Sequence, residues 1–315
     1  MPLLDSNPPD VLVLGGGGVL GEAWLSAVLA GIAHGGGFDA RRAGRMVGTS
    51  AGSIVAASLA AGIDPGARLE LSPPELADAN EPARGADGGF GGPLAAALGL
   101  GGAAAAPLAS LALSSSAPGG AMLRRAMLRR VPVGERSMVG LARIIDAAGP
   151  EFDGRLLVSA VELRSGRRVM FGSPGAPSAT VSEAVLASCS IPGVFSPVRI
   201  GGREYVDGGA WSPTNMDAAP VERGARVLCL NPTGSLRPAR GALAGAIGPI
   251  SRGAAAGEAL AMRHRGAEVR VINPDAGSAR AMGIDLMSRS RRPAVIAAGH
   301  AQGLTLAGGA SAHAA

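Results

Sequence analysis

The sequence predicts an α/β fold in which short buried strands alternate with crossover helices. Twice in its first part an apolar run passes through glycines straight into a helical segment: Val11–Leu14, residues 15–18 and 19–34, then residues 45–47, 48–52 and 53–62. Repeated strand–glycine–helix units build parallel sheets with crossovers. Hydrophobic residues make up 47% of the 315 and charged residues 17%, a balance that buries a sizeable core and argues against wholesale disorder. We expect a single domain over residues 8–306, followed by a loose tail at 307–315.

Each element has its own justification. Residues 11–14 are apolar without alternation, as in a strand buried on both faces. In 19–34, Leu20, Ala23, Trp24, Ala27, Val28 and Ile32 fall roughly on one helical face. The helix at 53–62 is closed by Gly62 and Pro65. Residues 64–136 differ: Pro and Gly recur, and 88–123 carry no charge. Such a length raises a membrane-spanning reading, which Pro93, Pro107 and Pro118 interrupt. A cap over a site, a packed insertion and a partly disordered loop remain open. Strand signals return at 156–162 and 168–171, a helix at 181–188, a hairpin over 198–206 ending at Asp207, and strands at 226–230 and 269–272 with a helix between. With aromatics at 3%, the core must come mainly from Ala, Val, Leu and Ile.

The net charge is +5 and all 29 basic side chains are arginine. They are scattered, and stacking aromatics are too few for a single-strand platform, so no nucleic-acid partner is expected. Cys189 and Cys229 form neither a disulfide framework nor a metal-ligand spacing. The N-terminus lacks a basic region followed by a long apolar run. We expect a cytoplasmic protein without metal or cofactor, with peripheral membrane association and oligomeric state left open.

The sharpest chemical signal is Gly48-Thr49-Ser50-Ala51-Gly52 between strand and helix. Gly-x-Ser-x-Gly is the pattern of a nucleophile elbow, a sharp turn whose glycines relieve crowding and lift the serine out. The following helix aims its amides and positive dipole end at developing negative charge. A helix start capped by Ser50 or Ser53 is the plainer reading of the same residues. Gly15 to Gly18 offer backbone N–H groups to an oxyanion. Gly16, Gly18 and Gly21 also satisfy a dinucleotide spacing, with Asp39 about the right distance onward. Asp39, however, follows glycines and precedes Arg41-Arg42 rather than closing an apolar strand. Finally, Asp207 leaves a strand into Gly208-Gly209, which suits either a presented carboxylate or an ordinary turn.

Together the glycine loop, the Gly48–Gly52 elbow, residues 187–197 and Asp207-Gly208-Gly209 resemble the patatin-like phospholipase family. The resemblance runs from about residue 11 to 217. It implies a three-layer α/β/α fold with a mostly parallel sheet, and a lipid or acyl-ester substrate. It also implies a dyad with Ser50 as nucleophile and Asp207 as base, and an oxyanion hole at Gly16, Gly17 and Gly18. No cofactor or metal is implied. Two departures stand out. Leu20 occupies the place where the family usually carries a basic residue, and Asn215 lies at an unusual offset after the aspartate. A Ser–Asp–His hydrolase would instead need His264 or His300.

Overall fold

The computed structural model describes residues 6–70, 118–131, 134, 138–236 and 247–311. Most of the expected 64–136 insertion, with nearly all of the uncharged 88–123 stretch, lies outside the described residues. A mixed sheet forms the centre, with strand order β5-β6-β3-β2-β1-β7-β8 and β4 paired to β3. Its strands are β1 (Val11–Leu14), β2 (Arg45–Gly48), β3 (Leu156–Glu162), β4 (Arg168–Phe171), β5 (Val198–Ile200), β6 (Arg203–Asp207), β7 (Arg226–Leu230) and β8 (Glu268–Ile272). The pairs β1/β2, β1/β7, β2/β3 and β7/β8 are parallel. Those of β3 with β4, β3 with β6 and β5 with β6 are antiparallel. The sheet is therefore mostly parallel, with helices on both faces, as the sequence predicts.

Helices α1 (Gly18–His34), α2 (Ala51–Ala60) and α3 (Pro65–Glu70) follow the first two strands. Then come α4 (Pro118–Leu128), α5 (Val139–Ala148), α6 (Val181–Cys189), α7 (Ile247–His264), α8 (Ala276–Met282) and α9 (Arg292–Ser311). One face of the sheet buries Leu12, Leu14, Met46 and Val158 with Trp24 and Val28 of α1, Val55 of α2 and Val185 of α6. The other buries Val11, Val13, Val47 and Val227 with Ala259 and Met262 of α7. Strand side chains alternate between these two cores, as the period of two requires.

Small residues let α9 lie close along α1: a Cβ on Gly31 would overlap the His300 carbonyl, and one on Gly303 would overlap the Val28 carbonyl. Trp24 Nε1 crosses this interface to donate to Gln302 Oε1 at 3.0 Å. Because α9 continues through Ser311, residues 307–311 are helical where the sequence suggested a loose tail. Buried Glu22 of α1 forms ion pairs with Arg68 of α3 at 2.8 Å and with Arg292 of α9 at 3.7 Å. Among the described residues, no helix is long and apolar enough to cross a membrane.

One topological detail positions the site. Along β3, Met46 donates to the Arg155 carbonyl and Leu163 donates to the Glu204 carbonyl. Odd-numbered residues of an extended strand turn their backbone polar groups to the same edge. Thus β2 and β6 meet the same edge of β3 from opposite directions. Strand β2 ends with Gly48 opposite Val158, and β6 ends with Asp207 opposite Ala160. The two chain turns converge end to end over Ser159.

Candidate active site

Ser50 links β2 to α2 with φ +50°, a backbone conformation that few non-glycine residues adopt. The sharp turn needs its glycines. A Cβ on Gly48 would come within 2.5 Å of Ser53 Cα, and one on Gly52 would overlap the Leu14 carbonyl. Ser188 Oγ, at the end of α6, accepts the Ser50 N–H at 2.8 Å. Ser53 Oγ donates to the Ser50 carbonyl at 2.6 Å. The Ala51 N–H, at the start of α2, has no acceptor among the described residues.

Across the gap, Asp207 ends β6 and is 5% exposed. Its N–H is tied to the Ser190 carbonyl at 2.9 Å, and its Oδ1 accepts the Gly209 N–H at 2.6 Å. Burial pushes the Asp207 carboxyl up to about 6, opposed by hydrogen bonds from the Ser50 hydroxyl and the Gly209 N–H. Gly208 passes so close to Ser159 that a Cβ there would overlap its hydroxyl. Cys189 also reaches this centre; burial and the Asp207 charge raise its thiol, which stays protonated.

Asn215, the second non-glycine residue at positive φ, braces both turns. Its Nδ2 donates to the Ser212 carbonyl at 2.6 Å, the Gly208 carbonyl at 3.2 Å and Thr49 Oγ1 at 3.1 Å. A deeper carboxylate supports that loop in turn. Glu258 of α7 accepts the Met216 N–H at 2.9 Å and the Thr214 hydroxyl. Burial, then the charge of Asp217, raises Glu258 to about 7. Sequence reading noticed Asn215 for its offset and pointed to the amides that open the helix after the elbow, where Ala51 stands, but missed Ser188, Ser159 and Glu258. Of these three, only Ser188 lay in a block the sequence singled out.

The glycine loop leaves β1 beside the elbow and splits the expected donors. Gly15 N–H is bound to the Leu230 carbonyl and Gly16 N–H to the Pro213 carbonyl, each at 2.9 Å. Gly16 therefore fixes the loop and does not offer a free donor, which corrects that part of the expectation. The Gly17 and Gly18 N–H groups, at the start of α1, have no acceptor among the described residues. Gly18 sits at φ +61°, and a Cβ on Gly17 would lie 2.7 Å from Pro232 Cβ. Leu20 is fully buried and its N–H donates to the Leu286 carbonyl at 2.9 Å. The position where the family carries a cation is thus a core position here.

The alternative residues lie elsewhere. Asp39 is held by Arg41 through paired contacts of 2.9 Å, which ties up the carboxylate that a dinucleotide ribose would use. His34 and His300 meet each other at 2.9 Å at the C-terminal end of α1, about 24 Å from the glycine loop at 1.5 Å per residue. His264 ends α7 and leads into the start of β8, at the opposite edge of the sheet from Ser50. His313 is outside the described residues. A cavity of about 560 Å³ lined by Asp10, Arg45 and Arg155 also opens at that opposite edge. Converging chemistry, rather than the size of a cavity, marks the site.

A family model described as patatin-like phospholipase matches residues 12–220. The chain belongs to that family. Two solved structures are similar over 96% of this chain, each at 15% identity. One is VipD from Legionella pneumophila, with a TM-score of 0.42 and 67% of that chain covered. The other is the type III effector protein ExoU, with a TM-score of 0.38 and 53% covered, so this chain spans about half of its length. No curated protein matches the chain. The family segment takes in the glycine loop, the elbow, the 187–197 block and the Asp207 turn, and ends before α7 and Glu258.

Proposed function

We propose that this chain is a serine acyl hydrolase of lipid esters, of phospholipase A type, working through Ser50 and Asp207 without a histidine. The observation that carries the reading is Ser50 held at positive φ beside the buried Asp207 carboxylate, which burial raises to about 6 against the lowering effect of the Ser50 hydroxyl. A base with that value is ionised at neutral pH yet basic enough to accept a proton in the transition state.

Asp207 takes the proton from Ser50 Oγ as the oxygen attacks the ester carbonyl carbon. The carbonyl oxygen becomes an oxyanion and accepts hydrogen bonds from Gly17, Gly18 and Ala51 N–H. Each such donor is worth about 3 kcal/mol in the transition state. Collapse breaks the ester C–O bond, and the leaving alkoxide takes the proton from Asp207. Water, deprotonated by the same carboxylate, then attacks the acyl-enzyme, releasing the fatty acid and restoring the Ser50 hydroxyl. Neutral donors at helix starts take the place of the family's basic residue, since Leu20 is buried.

The test is hydrolysis of a short p-nitrophenyl acyl ester by the wild type, Ser50→Ala, Asp207→Ala and a variant without the four histidines. Activity lost in the first two and kept in the last is expected. A folded histidine-free protein without activity would move the mechanism to a triad, and no turnover of any ester in wild type would end the proposal.

A further inference from the structure

We propose that the arginine cluster where α4 packs on the β3–β4 turn is a docking surface for anionic phospholipid bilayers. It stands on the edge of the sheet that carries Ser50. Helix α4 exposes Met122 at 72% and Leu123 at 40%, together with Arg125 and, just beyond its last turn, Arg129 and Arg130. Residues 118–131 contain no acidic side chain. The β3–β4 turn adds exposed Arg164 and Arg167.

Helix and turn form one patch because their backbones touch. Arg124, itself 1% exposed, donates to the Gly166 carbonyl at 2.6 Å, and a Cβ on Gly166 would lie 2.8 Å from the Arg125 nitrogen. None of the five exposed arginines makes an ion pair among the described residues. Glu162, the neighbouring acid, is buried and accepts the Ser165 hydroxyl at 2.7 Å.

Arginines alone would make a solvated face. Large apolar side chains exposed among them are the composition of a surface that lies in a lipid interface. The cations draw it to anionic head groups, and Met122 and Leu123 enter the acyl boundary. Its placement fits the reaction. Ala160 lies opposite Asp207, and Arg164 comes four residues later, about 13 Å farther along at 3.3 Å per residue. The same buried Arg124 stacks 3.9 Å above the Trp211 ring and donates to the Ala210 carbonyl at 3.1 Å. That joins the patch to the turn following Asp207.

The inference rests on the lipid-hydrolase reading for its purpose, so the experiment separates binding from hydrolysis. Full-length Ser50→Ala protein is sedimented with vesicles of phosphatidylcholine alone and of phosphatidylcholine with phosphatidylglycerol. Binding to the anionic vesicles is expected, weakened by salt. Each arginine beside such a surface is worth about fivefold, so Arg164→Gln/Arg167→Gln lowers partitioning about thirtyfold. Arg129→Gln/Arg130→Gln does the same from the other side of the patch, and Met122→Ser/Leu123→Ser weakens binding while keeping its salt dependence. The Arg164/Arg167 exchange, made in active protein, leaves hydrolysis of a soluble ester unchanged.

Equal binding to both vesicle types would overturn the proposal. So would wild-type binding by the folded variants, or capture of single-stranded RNA with vesicles left unbound. An active esterase that ignores vesicles overturns the surface and leaves the proposed reaction standing. Vesicle binding by an inactive wild type does the reverse.

Discussion

Exchanging Asp207 for asparagine should abolish ester hydrolysis and, at neutral pH, make the protein more stable. Both effects come from the same buried charge. Burial raises the carboxyl from 3.8 to about 6, so the folded protein holds this proton more tightly than the unfolded chain does. A group raised in this way contributes stability while protonated and loses it as pH rises through the folded value. A difference of about two units amounts to about 3 kcal/mol against the native state near pH 8, falling to about 1 kcal/mol near pH 4.5. Asparagine is neutral at both and keeps an oxygen for the Gly209 N–H, now bonded at 2.6 Å. For a chain of this size, about 1.5 °C of melting temperature accompanies each kcal/mol. Asp207→Asn should therefore melt about 4 °C above wild type near pH 8 and about 1–2 °C above it near pH 4.5. Thermal unfolding followed by circular dichroism reads the gap, and ester turnover on the same samples reads the activity. Wild-type kcat/KM should rise through about pH 6 as the base ionises. A melting gap that stays the same at both pH values would refute a desolvated, ionised carboxylate at 207.

Two further changes test the surrounding framework. Asn215→Ala leaves the buried Ser212 and Gly208 carbonyls without their amide donor; urea unfolding should show a loss of about 2–3 kcal/mol. Its kcat should fall more than its KM changes, because both turns of the candidate site lose their brace. Gly17→Ala places a Cβ 2.7 Å from Pro232 Cβ, so the loop must shift its N–H groups. Steady-state kinetics should find kcat down about a hundredfold with the far-ultraviolet circular dichroism unchanged.

The local elements were legible because their signals are local. Unbroken apolar runs marked β1 and β7, and glycines after strands marked the two turns. The elbow was readable from its local pattern: Gly48 answers a steric demand from Ser53, five residues on, although Gly52 makes room for the Leu14 carbonyl of a strand distant in sequence. Asp207 was singled out by its glycines, but its placement beside Ser50 brings together residues far apart in sequence.

The sequence by itself determined the parallel α/β plan, the positions of the elbow and glycine loop, and the absence of a histidine from the motif blocks. Only the tertiary structure decided the electrostatics and the division of labour. Asp207 is raised because β6 ends inside the protein beside the end of β2, a consequence of strand register. Gly16 and Gly17 are neighbours of identical chemistry, yet Pro213 takes the N–H of one and leaves the other open. Glu258 and Arg124 stand on helices outside the blocks. Burial, pairing and a shared surface depend on which distant segments the fold brings against them, and no local pattern encodes that.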